Sequence, residues 1–96
     1  MVMAEFSIFP VGAGDSLSTY VARCTKIVEE SGVKNQLHAM GTILEGPWDQ
    51  VFGVIKRCYE ELDKDCSRIS LNIKVDIRKG DTHRMEEKVR SVREKI

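Results

Sequence analysis

The chain has 96 residues, a length typical of one domain, which we assign to residues 1–96. Its fifteen basic and fifteen acidic residues cancel, which argues against a protein that binds nucleic acid by broad attraction to phosphates, because such proteins are usually basic. The sequence contains no run of eighteen apolar residues, so we expect no membrane-spanning helix.

Alternating apolar residues predict a first strand over residues 2–9, and Pro10 ends it because proline has no N–H to donate. Asp15 or Ser16 is expected to cap a first helix, and Gly32 suits the end of that helix. The apolar face of this helix repeats at helical spacing. It carries Leu17, Val21, Cys24 and Val28.

The stretch from Leu37 to Gln50, LHAMGTILEGPWDQ, predicts two strands and a helix start. We assign residues 36–40 to a second strand, Gly41 to a turn and residues 42–45 to a third strand. Pro47 is well placed at a helix start, because its missing N–H would have no partner there. The second helix is predicted over residues 47–64, with an apolar stripe along one side. This stripe carries Val51, Ile55, Cys58 and Leu62.

Residues 68–78 form the least ambiguous predicted strand, in which Ile69, Leu71, Ile73, Val75 and Ile77 alternate with polar residues. We expect the apolar side to face the helices and the polar side to be open to water, a ligand or another subunit. After Gly80, Asp81 or Thr82 is expected to start a third helix. Its apolar positions are Met85, Val89, Val92 and Ile96.

This order of elements predicts a ferredoxin-like βαββαβ fold, an α+β sandwich of the broader α/β type, with a C-terminal helix added. Two right-handed strand–helix–strand units build one four-stranded antiparallel sheet with helices on one face.

Three segments resemble the thiamine-binding-protein-like family: FSIFPVG followed by SLSTYVA, then LHAMGTILEGPWDQV, then ISLNIKVDIR. The MGT-x-x-EG element at residues 40–46 is the most specific of these. The resemblance implies a ferredoxin-like homodimer or homotetramer, and it implies a ligand, thiamine or its hydroxymethylpyrimidine part.

A thiamine pocket would need polar partners for the aminopyrimidine, an apolar or aromatic wall, and a carboxylate near the cation. Glu45 could supply the carboxylate, Thr42 a hydroxyl, and Trp48 or Phe9 a stacking surface. Each also has a structural interpretation: Glu45 as a charge at a strand end, Thr42 as an ordinary strand residue, and Trp48 as a core residue. The candidate ligand-binding residues are Thr42, Glu45, Ser7, Gln36, His38 and Trp48.

His38 is either a ligand contact or, as is commoner for a lone strand histidine, a surface or interface residue. The open sheet face is expected to carry several polar side chains, which either line a pocket between facing sheets or form an interface. These are Glu5, Ser7, Gln36, Asn72 and Lys74.

No Ser–His–Asp or Cys–His pattern suggests catalysis, and no spacing of His and Cys suggests zinc. We therefore expect a non-catalytic binder with no metal or cofactor, and no nucleic-acid or membrane partner. A structural or regulatory homo-oligomer without a thiamine function is the alternative. The odd number of cysteines, without a CxxC pair, is typical of a reducing compartment, and Glu5 within the N-terminal stretch argues against a signal peptide. We expect a cytoplasmic protein.

Overall fold

The computed structural model describes residues 1–14, 16–80 and 84–96. The strands are β1 (Val2–Pro10), β2 (Lys34–His38), β3 (Gly41–Gly46) and β4 (Ile69–Ile77), and the helices are α1 (Ser18–Glu30), α2 (Trp48–Asp63) and α3 (Arg84–Arg93). The strands form one antiparallel sheet in the order β2-β3-β1-β4. This is the predicted ferredoxin-like arrangement with a helix added at the C-terminus.

Strand β1 lies inside the sheet and alternates strictly between buried and more exposed residues. Its even-numbered side chains pack against α1 and α2, which cover one face of the sheet. The core also contains Cys24 and Val28 from α1, Leu44 from β3 and the predicted stripe of α2, including Val51 and Leu62. We call the side of the sheet that these helices cover the helix face, and the opposite side the open face.

Several predicted boundaries move by one or two residues. Strand β2 begins at Lys34 and ends at His38, so Ala39 and Met40 form the hairpin turn instead of extending the strand. Helix α1 begins at Ser18 with Leu17 at the N-cap position and no side-chain cap, so the predicted Ser16 cap is wrong. Asp15, Asp81, Thr82 and His83 lie outside the described residues.

The apolar side of β4 faces the helix side, as predicted, because its odd-numbered residues pair with the buried residues of β1. The helices cover this edge strand only in part. Leu71 and Ile73 are each 39% exposed and Ile77 is 63% exposed.

A guanidinium links the two helices of the core. Arg23 of α1 donates to the Asp65 carboxylate at 2.9 and 3.0 Å, to the Glu61 carboxylate at 3.2 Å and to the Glu61 carbonyl at 2.9 Å. The Arg23 guanidinium holds the pKa of Asp65 below its usual range. This arrangement joins α1 to the C-terminal end of α2.

Helix α3 docks on the open face by its first turn. The backbone N–H groups of Arg84 and Met85 donate to one carboxylate oxygen of Glu45, at 2.8 and 3.2 Å. Asp76 accepts from Lys88 at 2.9 Å and from Arg84 at 3.0 Å, and these cations hold the pKa of Asp76 below its usual range. A carboxylate at a helix N-terminus pairs unsatisfied N–H groups and complements the helix dipole.

The rest of α3 extends beyond these contacts. Of its predicted apolar positions, Met85 is buried, whereas Val89 is 53% and Val92 62% exposed. Ile96 lies beyond the helix end and is almost fully exposed. Of the predicted apolar seam, only Met85 is therefore packed against the rest of the single chain.

We predict that Gly41→Ala destabilises the fold by about 1–3 kcal/mol, the usual cost of backbone strain. A Cβ at this position would lie 2.7 Å from the Phe6 carbonyl oxygen, a backbone atom that cannot move freely. Thermal unfolding measures the effect, and about 1 kcal/mol shifts Tm by roughly 4–8 °C in a domain of this size. Gly53→Ala is the control, since a Cβ inside α2 has no atom within 4 Å and should raise stability by about 0.5–1 kcal/mol. Equal Tm values for Gly41→Ala and the unmodified chain would contradict the close approach.

We predict that Glu45→Ala releases α3 without unfolding the sheet. The change removes an acceptor that is 4% exposed and serves two backbone donors, a loss of about 1–3 kcal/mol locally. Amide hydrogen exchange over residues 84–93 should rise well above that of β1. Glu60→Ala, at an exposed position of α2, serves as control and should leave exchange in α3 unchanged. Undiminished protection of α3 in Glu45→Ala would show that other contacts hold the helix.

Candidate functional site

The two faces of the sheet divide the predicted ligand-binding residues. Cross-strand partners share a face, and the register pairs Ser7 with Asn72, Gln36 with Ile43 and His38 with Gly41 on the open face. Glu45 lies opposite Lys34 on the same face. Thr42 pairs with Phe6 and Leu37, and so belongs to the helix face. The expectation that Glu5, Ser7, Gln36, Asn72 and Lys74 share the open face agrees with this register.

A cavity of about 310 Å³ opens between α1, the end of β1 and the β2–β3 hairpin. Three of the predicted residues, Ser7, His38 and Thr42, are among the residues that line it. Its volume is near the lower end of the range for small-molecule pockets. Most of the lining is apolar. The apolar side chains include Phe6, Ile8, Leu17, Val21, Val28 and Leu37.

Two threonines give this apolar cavity polar character. Thr42 lies on β3 between buried neighbours and is 9% exposed, one of two buried polar residues in the described chain. Thr25 of α1 donates its hydroxyl hydrogen to the Val21 carbonyl at 2.8 Å, so its oxygen lone pairs can still accept a hydrogen bond. A few placed polar groups within apolar walls are typical of sites that orient a small ligand.

His38 is held by the hairpin. Its Nδ1 accepts a hydrogen bond from the Met40 backbone N–H at 3.2 Å, so in the neutral ring the proton resides on Nε2. Nε2 lies 3.4 Å from a carboxylate oxygen of Glu5, in a geometry that leaves Nε2 without a hydrogen bond among the described residues. The ring of His38 therefore braces the turn at the mouth of the cavity.

Glu45 and Gln36 lie away from the cavity, on the side of the sheet where α3 docks. One oxygen of Glu45 is taken by the N–H groups of α3, and the other lies 3.6 Å from the Lys34 ammonium. Gln36 contributes to a shallow groove of about 480 Å³ beside α3, with Met85, Val89 and Arg93. The carboxylate predicted for the ligand is therefore already bound by the protein.

Trp48 lies at the first position of α2, next to the end of β3 at Gly46. The cavity is at the other end of β3, beside Gly41 and Thr42. The indole packs on the ring of Phe52 with centroids 4.4 Å apart, and about half of the residue is exposed. Trp48 is thus neither a core residue nor a wall of this cavity, whereas Phe9, the alternative aromatic, does line it.

Sequence reasoning missed Thr25, Leu37 and Met40 as lining residues. Leu37 could have been found from the hairpin turn, since placing the turn at Ala39 and Met40 puts Leu37 opposite Thr42. No sequence pattern identifies Thr25 as a lining residue, because its position at the cavity depends on how α1 crosses the sheet.

The described ranges contain no group of three His, Cys, Asp or Glu side chains that could hold a metal ion. The three cysteines are free thiols. No helix within these ranges is long and apolar enough to cross a membrane.

Comparison with known proteins gives several relatives that match nearly the whole chain. A UPF0045 protein of Synechocystis is 38% identical over 92 residues, which covers 95% of this chain and 76% of the relative. A UPF0045 protein of Methanocaldococcus jannaschii is 33% identical over 93 residues, covering 97% of this chain and 93% of the relative. The names of these relatives describe no function.

Solved structures show the same fold. The crystal structure of the M. jannaschii protein matches with a TM-score of 0.88 at 33% identity, covering 97% of this chain and 96% of that one. A Thermotoga maritima protein, whose assignment to thiamine biosynthesis or salvage is provisional, matches with a TM-score of 0.82 over 95% of this chain and 97% of that one. At 21% identity, this second match supports the fold alone.

The family model described as thiamine-binding protein matches residues 4–93. This range runs from β1 through the described part of α3 and includes the MGT-x-x-EG element and the cavity. Together with relatives above 30% identity over at least 95% of the chain, the match shows that the chain belongs to the thiamine-binding protein family.

Proposed function

We propose that the protein is a non-catalytic binder of thiamine or a related hydroxymethylpyrimidine, and that it acts as a homo-oligomer in the cytoplasm. The observation that carries the ligand proposal is the cavity of about 310 Å³ with the buried Thr42 in its wall. Membership of the thiamine-binding protein family supports the choice of ligand. The free state of Cys24, Cys58 and Cys66 is compatible with a reducing compartment.

The cavity suits the pyrimidine half of thiamine better than the thiazolium half. Apolar side chains such as Phe6, Ile8 and Leu37 can cover a flat, neutral ring. The hydroxyl of Thr42 and the oxygen of Thr25 are available types of partner for the ring nitrogens and the amino group. No acidic side chain belongs to the described lining, so a buried cation would lack a counter-charge there. We therefore orient the thiazolium outward, toward water.

In this orientation Glu45 does not balance the charge of the thiazolium, as its residue type suggested, but has a structural role. Its carboxylate anchors α3 on the open face, whereas Thr42 projects from the helix face. We propose that Ser7, His38 and Thr42 lie at the ligand site and that Gln36, Glu45 and Trp48 act elsewhere. Glu45→Gln should accordingly leave ligand affinity unchanged.

A binder is favoured over an enzyme by the state of the reactive groups near the cavity. Cys24 is buried among apolar residues and its thiol contacts the Cys58 carbonyl at 3.8 Å, an environment in which thiols are usually inert. His38 uses Nδ1 to hold the hairpin. Neither group is paired with a described nucleophile or base in the cavity.

A structural or regulatory homo-oligomer without a thiamine function is the second candidate. The exposed stripe of Val89 and Val92 on α3 favours it, since exposed apolar surface of this kind commonly marks contact with another protein. Under this alternative the cavity would be a packing defect and would bind none of the thiamine compounds.

We predict that calorimetric titration shows saturable binding of thiamine and of hydroxymethylpyrimidine, with affinities within about tenfold of each other. Thr42→Val keeps the side-chain shape and removes the hydroxyl, so it should weaken binding of both by about tenfold, the equivalent of about 1.4 kcal/mol for one buried hydrogen bond. The thiazole half alone should not bind.

Thr19→Val provides the matched control, since Thr19 is exposed on α1 and the same change there should not alter affinity. Flat titrations of a folded oligomer would favour the structural alternative. Binding that Thr42→Val leaves intact but Glu45→Gln abolishes would move the site to the open face.

A further inference from the structure

The last residues of β1 have a strand neighbour on one side only. β3 pairs with β1 as far as the pair of Phe6 with Thr42, whereas β4 pairs with β1 up to Pro10. Over residues 7–10, β1 therefore has no described strand on the side of β3. The turn between β2 and β3 comes at this point of the sheet. We call the opening between this turn and residues 7–10 of β1 the notch.

The cavity of about 310 Å³ reaches the notch. Phe6 and Ile8 belong to the helix face and line the cavity, but so do Ser7 and Phe9, which belong to the open face. Successive side chains of a strand point to opposite faces of its sheet. One cavity can therefore be lined by all four residues only where it passes the edge of the strand, and the free edge of β1 is the one at the notch.

The hydrogen bonds between β1 and β4 show which backbone groups of β1 point into the notch. The Val11 N–H donates to the Arg68 carbonyl, and the Arg78 N–H donates to the Met1 carbonyl. The register between these ends is continuous, so the odd-numbered residues of β1 bond to β4. In an antiparallel ladder the alternate residues direct their N–H and C=O groups to the other side. Ile8 is the first such residue beyond the last pair with β3, so its N–H and C=O point into the notch.

The backbone groups of Ile8 have no partner among the described residues. In a longer ladder they would bond to Met40, but the Met40 N–H donates to His38 Nδ1 at 3.2 Å. The described backbone bonds of the turns and loops include none from Ile8. Ile8 is 7% exposed, and buried backbone N–H and C=O groups are nearly always paired. The wall of the cavity thus presents a donor and an acceptor side by side, both available to a bound molecule.

We propose that the N–H and C=O of Ile8 bind the edge of the aminopyrimidine ring that carries N3 and the 4-amino group. The inference rests on the proposed function and deepens it by naming the groups that select the ligand. The Ile8 N–H donates to N3, and the Ile8 carbonyl accepts from the amino group. The ring edge thereby makes the two bonds that a longer β3 would make at this position.

This contact specifies the order of donor and acceptor on the ligand. An aminopyrimidine offers an acceptor and a donor side by side, which complements the N–H and C=O of Ile8. The 4-oxo analogue of thiamine carries a ring N–H and a carbonyl at these positions, so it would set N–H against N–H and C=O against C=O. The Thr42 hydroxyl, which can donate and accept, would not by itself distinguish the two compounds.

Nuclear magnetic resonance of the Ile8 amide tests the contact directly. Hydroxymethylpyrimidine labelled with ¹⁵N at N3 is titrated to saturation into the ¹⁵N-labelled chain. We expect a downfield shift of the Ile8 amide proton and a scalar coupling across the hydrogen bond between its nitrogen and N3. Ala4, an even-numbered residue of β1 that is paired with β3, is the control and should show neither change. Saturable binding with an unchanged Ile8 amide, or coupling of N3 to another donor, would overturn the proposal.

Calorimetric titration with the 4-oxo analogue tests the predicted order of donor and acceptor. The analogue should bind at least about 100-fold more weakly than thiamine, because it would leave two buried backbone groups unpaired. Equal affinities for the two compounds contradict the contact with Ile8. Flat titrations of thiamine, hydroxymethylpyrimidine and the analogue contradict the proposed function and this contact together, whereas thiamine binding without a response at Ile8 contradicts the contact alone.

Ile8→Pro and Ile8→Ala form a matched pair of variants. Both shorten the side chain, but only proline removes the N–H, and it breaks no bond to β4 because this N–H points into the notch. Hydroxymethylpyrimidine should bind Ile8→Pro about tenfold more weakly than Ile8→Ala. Equal affinities in two folded variants contradict the proposal, and if Ile8→Pro does not fold, the resonance experiment on the unmodified chain decides.

Discussion

The pairing of β1 on both of its sides is the constraint on which the rest of the structure depends. β1 hydrogen-bonds to β3 and to β4, and its even-numbered side chains are buried under α1 and α2. Because side chains alternate along a strand, this one register assigns every residue of β3 and β4 to the helix face or the open face. A slip of one residue would bring Glu5 into the core and expel Phe6.

That assignment places the two polar residues of the MGT-x-x-EG element on opposite faces of the sheet. Thr42 points to the helix face and reaches the cavity, whereas Glu45, three residues later, points to the open face and receives the N-terminus of α3. The two polar residues of this short element thus act on opposite faces of the sheet. Gly41, the first residue of β3, has a separate role, since its backbone passes too close to the Phe6 carbonyl oxygen for a side chain to fit.

Exposed apolar side chains of the single chain include those on the odd-numbered side of β4 and on the stripe of α3, as well as Leu37, Met40 and Trp48. The strand has, in addition, a row of unpaired backbone groups, which the helix lacks because its backbone bonds are internal. The edge of β4 therefore exposes both apolar side chains and unpaired backbone groups. On α3 the apolar stripe exposes side chains alone.

The sequence by itself determined the order of elements, the ferredoxin-like fold and most of the core. Strict alternation in β1 and β4 and helical spacing in α2 are local patterns, and each reports which side of its own element is apolar. The family resemblance also came from local strings, including the MGT-x-x-EG element. The turn at Ala39 and Met40 was placed two residues late, because the residues around a hairpin do not mark where pairing stops.

Only the tertiary structure decided which side chains meet. Thr25 faces the cavity because α1 crosses the sheet beside the β2–β3 hairpin, and Glu45 meets Arg84 across 39 residues of chain. Neither contact has a periodic signal, since each depends on the packing of two elements that are distant in sequence. The same holds for the partial exposure of β4: its alternation is perfect in the sequence, but the helices settle over β1 and β3, and an edge strand is covered only as far as they reach.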